Sequence, residues 1–394
     1  SKIIEKIDVG GPTMVRAAAK NYNDVTVITS TNQYNELINE LDKYKGSTSL
    51  NFREKMSLEA FSETAYYDAV ISNYFNKLKK NNFPKRKIIY GNLVNKLRYG
   101  ENPHQESAIY SVKNSLNIKQ IYGKQLSYNN YNDIFSALTI SKSLPSNSGT
   151  VIVKHANPCG VSIQKNKLKS YQMALSCDPI SAFGGIVSCN FKINKKLATE
   201  INKIFFEVII ANGFETGALK ILKKKKNLRL IDANKFIIKD IIKLNSLNES
   251  LLTQSEDLKK FNIKDFKVVS RKKPSKSQFE NLIFAFNICR YVKSNAIVLA
   301  SNKSTVGIGS GQPSRLDSCQ IAINKMKKFK NSNDDIVAAS DAFFPFVDGV
   351  ENLVQSGVSA IIQPSGSIRD KEIIRFANQT DTILVFSKTR HFRH

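Results

Sequence analysis

The chain has 394 residues, 41% of them hydrophobic, with 59 basic against 33 acidic side chains and a net charge of +26. That length suits two or three domains with buried cores, and no stretch approaches the roughly 20 apolar residues of a membrane-spanning helix. Five cysteines, an odd number with no Cys-x-x-Cys pair, argue against a disulfide framework and a common structural zinc site and fit a reducing cytoplasm.

The start, Ser1-Lys2-Ile3-Ile4-Glu5, has neither an initiator Met nor an apolar secretion segment and reads as a truncation or the continuation of an upstream part. Residues 12–20 are predicted to be a helix, with Pro12 in its first turn. A β-branched strand is expected over Val25–Thr29, then a helix over Asn32–Tyr44, a loop over Gly46–Ser49 and a second helix over Phe52–Phe75. Lys85-Arg86-Lys87, after Pro84, reads as a linker. Beyond it, strands are expected at Val151–Val153, Gly185–Ser188, Ala296–Ala300, Val306–Gly309, Ile336–Ala339, Ala360–Ile362 and Thr382–Phe386, with helices at 276–293 and 316–330 among them. Strands alternating with helices point to a layered α/β architecture. A weak internal echo links 151–188 with 296–346, a candidate duplication.

The basic excess suits nucleic acid, a membrane surface or anionic substrates. Lys223–Lys226 and Arg271–Lys273 lie between folded-looking segments and read as solvated faces, and no RNA-recognition motif, helix-turn-helix or zinc finger accompanies them.

Only four histidines are present, at 104, 155, 391 and 394. Lys154-His155-Ala156-Asn157-Pro158-Cys159-Gly160 follows an apolar strand directly, where ligand sites of α/β sheets lie. An ammonium beside His155 would keep the imidazole neutral and able to take a proton. The competing reading is a structural histidine in a turn. Arg98-Tyr99-Gly100-Glu101-Asn102-Pro103-His104-Gln105 offers a forked grip on phosphate or carboxylate, or is a polar loop. Asp178-Pro179-Ile180-Ser181-Ala182-Phe183-Gly184-Gly185 combines close backbone approach with a ring that can stack, or is a loop entering a strand. Gly307-Ile308-Gly309-Ser310-Gly311 lacks the Walker ending; it is an anion cradle or a structural hairpin. Asp8-Val9-Gly10-Gly11-Pro12 enters the first helix, where backbone amides could hold a phosphate and Asp8 and Lys20 could do acid–base work; a capped helix entry and a surface Lys is the alternative.

Together these strings resemble the bifunctional aminoimidazole-carboxamide ribotide (AICAR) formyltransferase / IMP cyclohydrolase family. The segments IDVGGPTMVRAAAKN, LRYGENPHQ, VKHANPCGV, DPISAFGGIV, EVIIA, KSNAIVL, GIGSGQPSR, SDAFFPF and the terminal RHFRH stand in family order from residue 7 to the end.

The resemblance implies that residues 1–87 are the C-terminal remnant of a parallel α/β, methylglyoxal-synthase-like cyclohydrolase domain. Residues 88–394 would be the formyltransferase, with two cytidine-deaminase-like repeats at about 88–260 and 261–394. The substrates implied are AICAR and 10-formyltetrahydrofolate, without a catalytic metal, in a cytoplasmic homodimer that shares its site, with no nucleic acid and no membrane. By the family pattern His155 takes the proton, Lys154 stabilises charge or protonates the leaving folate nitrogen, and Asn295 orients the formyl or carboxamide oxygen. Arg98, Tyr99 and His104 belong to the ribotide side, and Arg390 holds the phosphate. Phe183, Phe343 and Phe392 are ring contacts, Gly184 lies in the same site, and Glu207 lies near the folate ring. Asp8, Gly10, Gly11 and Lys20 match the cyclohydrolase half-site. The family's upstream portion is missing here, so ring closure is expected to be weak or absent. Asn212 stands where the family usually has Pro, which bears on loop stiffness. The other functions weighed are a nucleic-acid binder, a zinc deaminase, which would need a His-x-Glu and a second Cys after Pro158-Cys159, and a non-catalytic relic.

Overall fold

The computed structural model describes residues 2–113, 115–239, 242–329 and 335–394. It divides into two compact units, Ser1–Val94 with Tyr110–Asn114 and Asn95–Ile109 with Ser115–His394.

The first unit is built on three helices, α1 (Gly10–Lys20), α2 (Tyr34–Lys43) and α3 (Leu50–Leu78). Pro12 sits in the first turn of α1, where its missing N–H costs nothing. The Ser49 hydroxyl accepts the Phe52 N–H and caps α3. The expected strand over Val25–Thr29 does not form: among the described residues no ladder pairs with it, and a β-branched run without a partner strand has nothing to bond to. Val27 instead packs with Ala19 and Ala60 in a small core. β1 (Asn92–Leu97) and β2 (Ser107–Ser111) form a two-stranded ribbon whose residues are divided between the units.

The second unit runs β3 (Lys119–Tyr122), α4 (Tyr128–Ser143), β4 (Gly149–Lys154), β5 (Asn157–Ile163), α5 (Lys167–Ser176), α6 (Pro179–Ala182) and β6 (Ile186–Cys189). It continues with α7 (Lys195–Ile201), β7 (Val208–Ala211), α8 (Thr216–Leu222), β8 (Arg229–Asp232), a β9–β10 hairpin (Ile242–Leu247, Ser250–Ser255) and β11 (Phe266–Val268). Then follow α9 (Lys276–Cys289), β12 (Ile297–Ser301), β13 (Ser304–Gly309), α10 (Arg315–Phe329) and β14 (Ile336–Ser340). The last elements are α11 (Asp348–Gln355), β15 (Val358–Pro364), α12 (Asp370–Gln379) and β16 (Ile383–Ser387). The expected helix at 276–293 stops at Cys289, and residue 330 of the one expected at 316–330 lies outside the described residues.

Twelve strands form one mixed sheet in the order β11-β16-β15-β14-β12-β13-β5-β4-β6-β7-β8-β3. β4 is antiparallel to both β5 and β6, and β6, β7 and β8 are parallel. On the other side of the β5–β13 seam, β12 is antiparallel to β13 and β14, and β14, β15 and β16 are parallel. The seam is joined by the Ser162 and Ser304 hydroxyls at 2.6 Å and by the Val161 N–H donating to Thr305 Oγ1 at 2.9 Å.

Alternate strand residues face opposite layers. Val151, Val153, Val298, Ala339 and Ile362 pack on one face beneath α4 and α9, in a core that runs unbroken across the seam. Ile152, Val187 and Ile209 face α5, α7 and α8, while Leu299, Ala338 and Ile361 face α10, α11 and α12. Each Val, Leu or Ile side chain so withdrawn from water contributes roughly 1.5–3 kcal/mol. Three glycines permit close packing on the β5–β13 ribbon. A Cβ on Gly160 would stand 1.8 Å from the Ala174 carbonyl oxygen of α5, and on Gly307 or Gly309 about as near to carbonyls of α10, at 2.2 and 1.9 Å. The glycine-rich string of β13 is therefore a packing surface for α10, the structural alternative of its two readings.

Candidate active site

Strand direction gathers the candidate residues of the second unit. β4 ends where β6, β7 and β8 begin; β13 ends there as well, β12 begins there, and β14, β15 and β16 end there. The segments carrying Lys154 and His155, Phe183 and Gly184, Glu207, Asn295, Phe343, and Arg390 and Phe392 thus all emerge at one end of the sheet.

The Lys154–His155 corner is a two-residue hairpin turn, with Lys154 paired to Asn157 across the β4–β5 ladder. His155 and Ala156 both have left-handed backbone, with φ of 53° and 57°. Such conformations cost a non-glycine residue on the order of 1 kcal/mol each. A polar stripe on α4 meets this corner. Asn130, Asp133 and Ser136 are spaced three apart, which places them on one helical face. Asp133 accepts the N–H groups of His155 and Ala156 at 3.3 and 2.6 Å. The Ser136 hydroxyl donates to the Ala156 carbonyl at 2.9 Å, and the Asn130 amide donates to Glu207 Oε2 at 2.8 Å. Burial pushes the Asp133 carboxyl above its usual range; the two N–H donors and His155 pull it back only in part, and Glu207 adds to the rise. The His155 side chain is exposed, and Lys154 Nζ donates to the Phe183 carbonyl at 2.9 Å.

Asn157 carries the corner across to β12. Its Nδ2 donates to the His155 carbonyl at 3.3 Å and its Oδ1 accepts the Lys293 N–H at 3.0 Å. Two residues on, Asn295 donates both amide hydrogens, to the carbonyls of Gln312 and Pro313 at 2.9 Å each. Its Oδ1 accepts from Arg315 Nη2 at 2.8 Å. As placed, both amide hydrogens of Asn295 are engaged, and a lone pair on Oδ1 remains. Arg315 is also paired with the buried Asp341, which accepts the Ser294 hydroxyl at 2.5 Å.

The C-terminal segment passes over this network. The Asp341 backbone carbonyl accepts the His391 N–H at 2.9 Å, and Ser294 and Arg393 exchange backbone and hydroxyl contacts. His391 is buried against Phe261 and Phe286, with Nδ1 2.5 Å from Asp257. Its exposed neighbours, Arg390 and Phe392, line a cavity of about 450 Å³ with Asn295, Arg315, Phe343 and Phe346. Phe183, also exposed, tilts against Phe205 with ring centres 5.5 Å apart, and Gly184 beside it has φ of 73°.

Arg98 stacks its guanidinium over Tyr99 at 4.7 Å and donates to its hydroxyl. Their loop is tied to α4 by Asn129 donating to the Glu101 carbonyl at 3.3 Å, and His104 stands exposed in it. In the first unit, Asp8 accepts the Gly11 N–H at 2.9 Å and its own N–H donates to the Tyr67 hydroxyl. Gly10 opens α1, and Asp8 and Lys20 lie at opposite ends of that helix, about 16 Å apart along its axis.

All five cysteines are buried. Burial pushes the Cys159 thiol up to about 12. Among the described residues no group of three or more His, Cys, Asp and Glu is placed to hold a metal ion, and no helix is long and apolar enough to cross a membrane.

The family model described as AICARFT/IMPCHase bienzyme matches residues 18–325. The chain belongs to that bienzyme family. The bifunctional purine biosynthesis protein PurH of Persephonella marina is 44% identical over 406 residues, covering 100% of this chain and 78% of its own length. PurH of Acetivibrio thermocellus is 43% identical over 403 residues, with 100% and 77% covered, and that of Leptospira biflexa 43% over 395 residues, with 99% and 76%.

Some of the bienzyme-family site geometry was not read from the sequence. Arg315 and Asp341 stand inside quoted strings but were given no role, because nothing local shows that a helix start and a strand end 26 residues apart meet. Asp133 and Asn130 had a signal, the period-three polar stripe beneath an apolar helix, but no string marks them. Asp257 is separated by more than 130 residues from the histidine it holds.

Proposed function

We propose that this chain transfers the formyl group of 10-formyltetrahydrofolate to the 5-amino group of AICAR, a step of purine biosynthesis. The observation that carries the reading is the meeting of the Lys154–His155 corner, Asn295 and the Arg390–Phe392 segment at one end of one sheet, in a chain of the bienzyme family. The amine of AICAR is a weak nucleophile, since its lone pair is delocalised into the imidazole carboxamide. It becomes competent if its proton leaves as the N–C bond forms. The His155 imidazole takes that proton. The formyl carbon then releases the folate nitrogen, which Lys154 protonates, and formyl-AICAR and tetrahydrofolate result. Asn295 contributes through its Oδ1, as an acceptor that aligns a substrate N–H.

Arg390 holds the ribotide phosphate in forked geometry, and Arg98, Tyr99 and His104 grip the ribotide. Phe183, Phe343 and Phe392 offer ring faces, Gly184 lets backbone approach closely, and Glu207 meets the folate ring. Residues 88–394 form the formyltransferase domain, and the like strand order on the two sides of the β5–β13 seam supports two cytidine-deaminase-like repeats, about 88–260 and 261–394. Residues 1–87 belong to the methylglyoxal-synthase-like cyclohydrolase domain and carry Asp8, Gly10, Gly11 and Lys20. The chain spans 78% and 77% of the length of two of its PurH relatives. The exposure of His155 and Phe183 suits a site completed in a cytoplasmic homodimer. Neither a metal nor a nucleic acid or membrane partner enters the reading.

A formyl-transfer assay beside a ring-closure assay tests it. Tetrahydrofolate formation that depends on AICAR is expected. Folded protein that forms no tetrahydrofolate would overturn the reading.

A further inference from the structure

We propose that Asp133 is a positioning residue for His155, and that its negative charge, not only its hydrogen bonds, is what the corner requires. The inference rests on His155 being the base. The sheet supplies its own control. The β12–β13 hairpin is the counterpart of β4–β5 across the seam, and it also turns through two left-handed residues, Asn302 and Lys303, with φ of 51° and 54°. There the clamp comes from α9, where the neutral Asn281, itself buried, accepts the Lys303 N–H at 2.7 Å. A carboxamide thus suffices to hold such a turn in this sheet.

At the His155 corner the equivalent contact is made by a carboxylate, which takes both N–H groups of the turn. Placing a charge there works against desolvation, as the upward displacement of the Asp133 carboxyl shows, with Glu207 also opposing it. A merely structural turn has no use for that opposition. A turn that presents a base does: an imidazole that gains a proton becomes a cation, and a fixed anion behind it favours that state. Ser136 on the same helical face fixes the Ala156 carbonyl, so the corner is held at both its N–H and its C=O groups.

The test replaces Asp133 by Asn, which copies the single accepting oxygen of Asn281 and removes the charge together with the second accepting oxygen. In Asp133→Asn, kcat for formyl transfer is expected to fall about 10- to 100-fold, with KM for both substrates changed less than about threefold and the thermal midpoint nearly that of the unsubstituted protein. Adding Asp133→Asn to His155→Ala should cause no further loss. Full kcat in Asp133→Asn would overturn the proposal and leave Asp133 a turn clamp like Asn281, and so would a loss confined to KM. Should Asp133→Asn destabilise the fold, Asp133→Glu is the second variant: it keeps the charge and is expected to recover part of kcat, and no recovery in folded Asp133→Glu counts against the proposal. His155→Ala alone distinguishes the failures. If it retains turnover, the base assignment fails; if it is inactive while Asp133→Asn is fully active, only the positioning role fails.

Discussion

The Arg315 guanidinium and the Asp341 carboxylate form an ion pair hidden from solvent, with side chains 8% and 0% exposed. Arg315 comes from the first turn of α10 and Asp341 follows β14 directly, so the pair fixes a helix start to a strand end. Its remaining contacts are the Asn295 and Ser340 side chains on one partner and the Ser294 hydroxyl on the other. Asn295 is thus oriented by a residue that is itself neutralised.

Asp341→Asn should leave Arg315 buried without its counter-charge. Breaking a buried pair on one side typically costs about 3–5 kcal/mol. Urea unfolding should show a loss of that order, and a loss under about 1 kcal/mol would show the pair to be solvated after all.

Gly160→Ala and Gly309→Ala should each destabilise by about 1–3 kcal/mol or more, since the added methyl meets a helix carbonyl at 1.8 or 1.9 Å and the backbone must move. Gly10→Ala is the control, because nothing lies within 4 Å of its added Cβ. Equal thermal midpoints for all three would contradict the close packing of α5 and α10 on the ribbon.

The layered α/β class was legible because buried strands such as Val151–Val153 and Ala296–Ala300 are short apolar runs between turn signals. The β4–β5 corner was legible too, since a Lys-His pair stood directly after such a run. What failed was pairing. Val25–Thr29 has strand composition yet no ladder, because a strand needs a neighbour that composition does not guarantee. The glycines of β13 read as an anion cradle as readily as a packing surface, and only the carbonyls of α10 decide between them. Asn295 was singled out, but that its amide hydrogens are spent on Gln312 and Pro313 depends on how the chain after β13 returns.

Burial lifts the thiols of Cys159, Cys177, Cys189 and Cys319 to about 12. Values raised in the folded state give stability that is whole below the unfolded value, near 8.5, and is lost as pH climbs from there toward 12. The native protein should resist a thiol-alkylating reagent at pH 8 and react fully in urea, and its urea midpoint should fall between pH 8 and pH 10. Fast alkylation of the native protein would contradict this.

Asp257 is pushed up by burial, but His391 and Arg290 outweigh that and hold it below its usual range. Its contribution is therefore intact above about pH 4, the unfolded value, and fades as pH falls below it. Asp257→Asn should loosen the segment that carries Arg390 and raise the KM for AICAR severalfold with little change in the KM for the folate. An unchanged KM for AICAR would separate Arg390 from the phosphate.

The most direct test is single-turnover formyl transfer by His155→Ala, with circular dichroism confirming that the variant is folded. The chemical step should slow by at least about 100-fold, within the range contributed by a positioned proton acceptor. A folded His155→Ala variant that forms formyl-AICAR at the unsubstituted rate would contradict the assignment of the proton to this imidazole.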